Sequence, residues 1–409
     1  MKFAAIRKIT TYKQRLRLLF VTKYRFLIPL LVVVLAKIIA VVYLFNALNM
    51  ASTNTFWMAV PWDDYGQNAI FNSVANEGER APFLFLGWDS AWYLSITAKG
   101  YVFSNQSFAF FPALPLFSWL LNLIVQNPVY ALIAVSLISG VLWIPIFQLV
   151  AEQYTKKTTA LVVTLLFASF PYVFLFTTVA YSEGLFLLST LSAWYFIKKE
   201  KIASSSLSAA LATLSRAPGL LLLMPMLIEH FWKRPHSTNF RSKRNIFYFS
   251  IPIQAFFAWV FYSRVLSNDW FAFGNRVAWN GMPSFRVLIF DMLPKSGIQG
   301  FIEKIFQQWP FTFMWVPFLL VTPILIYAVI KMEKSLAAYS TVYVLSILLF
   351  GAVDSIPRFF SFCFPLWLAV GIMLFRRRNA KLAVPVIFVL FGVLSVYLWQ
   401  NFLNGIFIA

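Results

Sequence analysis

Apolar residues run through this chain in long blocks, separated by short basic clusters, from one end to the other. A helix needs roughly 20 apolar residues to cross a bilayer. On that scale the blocks predict about eleven crossing helices: 26–48, 129–153, 158–177, 180–197, 202–215, 218–232, 246–266, 309–330, 335–352, 359–375 and 382–402. No stretch reads as a separate soluble domain. The pattern therefore predicts an all-α polytopic membrane protein: a basic arm over 1–25, then a single transmembrane domain over 26–409 with a large outer loop at 49–128.

The basic clusters set the sidedness. Lysine and arginine stay on the cytoplasmic face. The arm is too basic and too long for a cleaved signal, and no small-residue cleavage site follows. The later clusters are Lys156-Lys157, Lys198 to Lys201, Lys233 to Arg244, Lys331 to Lys334 and Arg376 to Lys381. All of them fall inside only if one crossing, not two, separates the first outer loop from Lys156. The apolar piece Phe108 to Gln126, with Pro112, Pro115 and Trp119, must then not cross. It is expected to form an in-plane or re-entrant helix at the outer surface.

Composition agrees. The 409 residues are 60% hydrophobic and 12% charged, against roughly 25% charged in a soluble domain. The net charge of +20 belongs to the cytoplasmic face and calls for no nucleic acid. Membrane lipids are the expected surroundings. The location expected is a multi-pass cell membrane with the N-terminus cytoplasmic, or the endoplasmic reticulum membrane in a eukaryote. A lone cysteine, Cys363, excludes a disulfide framework. No His/Cys cluster has metal-ligand spacing, so no zinc site is expected.

Unusual polar residues gather on the opposite face. The hairpin Ile202 to Trp232 has arms of about 14 residues, about 21 Å of helix, so its tip Ser215-Arg216-Ala217-Pro218-Gly219 is recessed. An arginine on non-helical backbone at that depth calls for a wet cavity lined by protein; a snorkelling arginine on a short loop is the plain alternative. Asp89, in Trp88-Asp89-Ser90-Ala91-Trp92-Tyr93, is either a carboxylate tuned for base work by its aromatic surround or a cap for the helix Ser90 to Ala98. Glu183, in Tyr181-Ser182-Glu183-Gly184, is either functional or paired with a helix dipole. Asp354 and Arg358 are placed to pair with each other. Adjacent Asp63 and Asp64 read as a solvated turn. Trp270, Phe271, Phe273, Asn275 and Arg276 mark the last large outer loop, where aromatics stack on sugars or form an interface belt. Lys37 stands alone near the middle of the first span, and must face the bundle or a partner acid.

Several stretches together resemble one family. Trp88-Asp89-x-x-Trp92-Tyr93, Ala98-x-Gly100-Tyr101 and Ala109-Phe110-Phe111-Pro112-x-x-Pro115 look like the signature of PIG-V-type mannosyltransferases. Tyr181-Ser182-Glu183-x-x-Phe186, Ser215-Arg216-x-x-Gly219 and Pro357-Arg358-Phe359 follow in the family's order. Relatives often carry an acid between Gly100-Tyr101 and the Phe-Phe-Pro run; here Val102 to Ser107 has none. The chain is shorter than typical eukaryotic members, which fits a prokaryotic relative.

The resemblance implies the GT-C class, an outward-facing site and inverting transfer of mannose or a related hexose from a polyprenyl- or dolichyl-phosphate sugar. The acceptor would be a lipid-linked or glycan hydroxyl, and no cofactor beyond the donor is implied. It implies Asp89 as the base, Arg216 and Arg358 on the donor phosphate, and Trp88, Tyr93, Tyr101, Pro112, Tyr181, Ser182, Glu183 and Asp354 lining the substrate. The competing class is a multi-span transporter or flippase. Transporters usually show internal repeats, and none is evident.

Overall fold

The computed structural model describes residues 24–50, 84–101, 105–232, 243–274, 297, 299, 311–350, 355–376 and 382–403. Residues 1–23 of the basic arm, Asp63, Asp64, Asn275, Arg276 and Asp354 lie outside them. Among the described residues every element is helical. In chain order the α-helices begin with α1 (Leu27–Met50), α2 (Asp89–Lys99), α3 (Ala113–Val125), α4 (Pro128–Ala151) and α5 (Lys157–Ser169). Then come α6 (Pro171–Phe176), α7 (Glu183–Lys198), α8 (Ile202–Ser215), α9 (Leu223–Leu227) and α10 (Lys243–Ser267). The last five are α11 (Phe311–Lys331), α12 (Lys334–Phe350), α13 (Ile356–Ser361), α14 (Phe364–Arg376) and α15 (Ala383–Leu403).

Each expected span coincides with helix, and among the described residues α1, α4, α10 and α15 are long and apolar enough to cross a membrane. Several of the others are shorter or broken, for local reasons. The expected span 158–177 divides at Phe170, because Pro171 has no N–H to continue the ladder. The helix expected from 180 starts at Glu183 instead. The piece 218–232 is a series of 3₁₀ turn, α9 and a π turn. The span 359–375 is split into α13 and α14.

Helix α7 lies at the centre. It packs against α4 and α8, and Phe186, Leu187, Leu191 and Trp194 are all buried. A helix apolar on every side belongs inside. Around it, α1 and α15 turn Leu35, Ile39, Val389 and Val393 outward. Exposed aliphatic faces of this kind suit lipid.

One end of the bundle is tied by charge. Arg25, just before α1, pairs with Glu152, just after α4, at 3.3 Å. Lys198 at the end of α7 reaches Glu333 at 2.7 Å and Glu229 at 3.3 Å. Tyr154 donates to Glu333, and Ser335 donates to Glu229. The start of α1 and the ends of α4, α7 and the π turn therefore share one end with the α11–α12 junction. These positions are the ones the charge pattern assigns to a single side. Helix α3 is too short to cross a bilayer unaided. Its 13 residues make about 20 Å, against a hydrocarbon core of about 30 Å. It turns through left-handed Gln126 at φ 53° and packs on α4.

Candidate active site

The site forms where regular backbone fails. Between α6 and α7, Thr177 to Ser182 is non-helical and fully buried. Buried backbone must find partners, and here it does: Ala180 N–H donates to Phe85 O at 2.8 Å, and Thr178 and Val179 N–H donate back to Leu175 O. Close approach is possible because two glycines meet beside the break. A Cβ on Gly184 would lie 2.7 Å from Gly140 Cα, and one on Gly140 would lie 1.9 Å from Thr177 O. Gly140 is at the midpoint of the 24-residue α4, so the break lies about 18 Å from either end of that helix.

Tyr181 clamps the first motif from this break. Its hydroxyl donates to Gly87 O and accepts from Asp89 N–H, both at 3.1 Å. Trp88 between them is held at φ 50°, ψ −115°, a non-glycine conformation costing on the order of 1–3 kcal/mol. The Ser90 hydroxyl donates to Gly87 O and accepts from its N–H. The strained turn aims the Asp89 side chain away from the α2 backbone. The N-cap position falls on Trp88, with Asp89 in the first turn, and the Asp89 carboxylate accepts from Arg358.

Four charges meet there. Arg358, on α13, donates through Nε to Glu183 Oε1 at 2.6 Å and through Nη2 to Asp89 Oδ2 at 2.9 Å. Nη2 also lies 2.5 Å from Glu183 Oε1. Arg216 Nη1 pairs with the same Glu183 oxygen. The Arg358 guanidinium stacks between Phe176 and Tyr181, 4.4 and 4.7 Å from their ring centres, and Arg216 lies 5.2 Å over Phe359. Two acids and two arginines balance, as buried charges must. Their exposures differ. The Glu183 and Arg358 side chains are 0% and 5% exposed, whereas Asp89 and Arg216 keep 13% and 17%. The inner pair is therefore a frame, and the outer two can meet a ligand. Glu183 Oε2 is buried without a hydrogen-bond partner among the described residues.

The remaining expected residues divide. Tyr93 donates to Ser182 Oγ at 2.8 Å; burial pushes its phenol well above the usual range, so it stays a donor. Tyr101 donates to Phe110 O and stacks on Phe108, and Phe110 packs edge-on against Tyr93. Tyr101 thus braces Phe110 behind Tyr93, and Pro112 is the N-cap residue of α3. Among the described residues Arg358 meets Glu183 and Asp89; the expected Asp354–Arg358 pair falls on Asp354, which lies outside the described residues. Sequence reading did not reach Phe176, the Arg358 stacking ring, nor the clamp on Gly87. Lys37 does face the bundle, with two backbone oxygens and the Thr177 hydroxyl rather than an acid as partners among the described residues. At the hairpin tip Arg216 has extended backbone, and a Cβ on Gly219 would strike Ala212 backbone at 2.1 Å.

An all-helical bundle with long apolar helices and a buried acid–arginine quartet defines a multi-pass membrane protein, and such a buried polar cluster is its candidate site. The chain belongs to the mannosyltransferase (PIG-V) family, whose profile matches residues 18–251, more than half of its length. It is thus a membrane glycosyltransferase of the mannosyltransferase type. Asp89, Glu183 and Arg216 fall inside the matched stretch, and Arg358 beyond it. Similar solved structures include ArnT from Cupriavidus metallidurans in the apo state, at 14% identity and TM-score 0.47, covering 82% of this chain and 69% of that one. The same protein bound to undecaprenyl phosphate aligns at 14% identity and TM-score 0.46, covering 83% and 73%. No curated protein matches.

Proposed function

We propose that the protein is an inverting glycosyltransferase, moving mannose from a polyprenyl- or dolichyl-phosphate carrier to a hydroxyl of a lipid-linked or glycan acceptor on the non-cytoplasmic face. The observation that carries this reading is the division of the quartet: a buried Glu183–Arg358 frame, with Asp89 and Arg216 at its accessible edge. Asp89 Oδ2 is held by Arg358, and Oδ1 accepts no hydrogen bond among the described residues. Oδ1 takes the proton of the acceptor hydroxyl as that oxygen attacks the anomeric carbon. The bond from carbon to phosphate oxygen breaks, its electrons leave with the carrier phosphate, and the anomeric configuration inverts. No acid is needed at a phosphate leaving group, so one carboxylate suffices.

Arg216 is the better phosphate ligand of the two arginines. It has one nitrogen on Glu183 and keeps an exposed flank, and a guanidinium grips phosphate oxygens bidentately. Charge developing on the leaving phosphate is stabilised by cations already in place. Arg358 has Nε and Nη2 committed to carboxylates, so its role is to hold Asp89 in aim.

The test is transfer by the purified protein, given lipid-phosphate mannose and candidate glycolipids, with products identified by mass spectrometry. Asp89→Asn should lower transfer by about 10²–10⁴ while the variant inserts and elutes like the wild type. Unchanged turnover in that variant would remove Asp89 from the base role.

A further inference from the structure

We infer that Lys37 is a positioning residue for the transfer site: its ammonium fixes the buried break Thr177–Ser182, from which Tyr181, Ser182 and Glu183 are presented. The kinetic part of this inference rests on the glycosyltransferase reading; the structural part does not.

Lys37 lies near the middle of α1 and is 5% exposed, too deep and too enclosed to snorkel to an interface. Its ammonium meets no carboxylate among the described residues. Three acceptors take its three donors: Thr177 O at 2.7 Å, Thr177 Oγ1 at 2.8 Å and Gly140 O at 3.4 Å. Thr177 caps α6, where carbonyls have no partner in the helix, and a cation there also suits the dipole. A lysine so placed acts as a C-cap supplied by a distant helix.

Thr177 is the hinge of everything downstream. Its neighbour Phe176 stacks on Arg358, and four residues later Tyr181 holds Gly87 and Asp89. Gly140 and Gly184 let α4 and α7 close on the same point. Removing the ammonium leaves the Thr177 carbonyl, in a 1% exposed residue, without its cap. The break then loses the contact that sets its register against α4, and Tyr181 and Glu183 shift with it. A general base displaced by about 1 Å can cost 10²-fold in rate.

The test uses the full-length protein in detergent or nanodiscs. Lys37→Met keeps the length and apolar stem and removes every donor. Amide exchange over Thr177 to Glu183 and over Gly87 to Asp89 should quicken, while α12 and α14 keep wild-type protection. Turnover should fall about 10- to 100-fold, with KM for lipid-phosphate mannose little changed. Thr177→Val removes one acceptor of the three, and serves if Lys37→Met does not fold; it should move both readouts in the same direction by less. Lys37→Arg, which keeps charge and donors, should restore part of the loss. Wild-type exchange across Thr177 to Glu183 in the variants would overturn the inference, and so would quickened exchange with unaltered turnover. If the wild type itself transfers no mannose, the functional reading fails, and exchange alone decides the role of Lys37.

Discussion

Glu183 and Arg358 are the pair on which the rest of the site is built. Each is enclosed, and each compensates a charge that would be costly alone. Arg358→Met or Glu183→Gln should each destabilise by about 1.5–3 kcal/mol, because the remaining partner keeps only one of its two opposite charges, Arg216 for Glu183 and Asp89 for Arg358. The double variant should cost less than the sum, with a coupling of about 0.5–3 kcal/mol. Thermal unfolding of the four proteins in detergent reads both quantities; additive losses would mean that the pair does not act as a unit. The sequence marks Glu183 and Arg358 as out of place in apolar surroundings, but not their partnership. They stand 175 positions apart, and Asp354 is the nearer and plainer partner for Arg358. Only a folded chain reveals that Arg358 lies between two carboxylates and two rings.

At the scale of elements, the informative features are interruptions. The pattern of apolar residues locates the helices well, because crossing a bilayer demands long apolar runs. It does not show that the run 158–177 is broken, or that α7 starts three residues late. Nothing in hydropathy distinguishes Thr177 to Ser182 from helix, because its side chains are as apolar or small as their neighbours. The glycines give the clue. Gly140→Ala places a methyl on the Thr177 carbonyl, backbone that cannot swing aside. It should cost about 1–3 kcal/mol and lower activity along with the melting temperature. Gly392→Ala in α15 meets nothing within 4 Å, so relief of backbone entropy should make it neutral or slightly stabilising. Equal effects from the two substitutions would show that close packing at Gly140 is not what the structure describes.

The whole molecule is organised by its two ends. Lysines and acids link the helix ends at one, and the quartet stands about a helix half-length away. We propose the linked end to be cytoplasmic, with the N-terminus on that side. Cysteines introduced one at a time at the exposed positions Lys157 and Lys201 should react with an impermeant maleimide only when the cytoplasmic face is open to the reagent. Cysteines at Lys99 and Asn268 should react only from the other face. The native Cys363 is buried and gives little background. Labelling of Lys157→Cys and Lys99→Cys from the same side would end the threading. The parity that excludes α3 from the count of crossings was legible in the sequence, since it needs only where basic clusters lie. The Arg25–Glu152 contact repeats it in three dimensions.

The amino-acid sequence by itself determined the medium, the class of fold, the approximate position of each helix and the residues worth watching. These follow from composition, run length and charge, which are local sums needing no knowledge of neighbours. Tertiary structure alone decided who meets whom: that Arg358 bridges Glu183 and Asp89, that Tyr181 sets the turn before Asp89, and that Lys37 caps a helix 140 residues away. The physical reason is that desolvation makes a buried charge or carbonyl costly unless a partner lies within about 3 Å. Many residues of the right type exist along the chain, and packing brings one of them there.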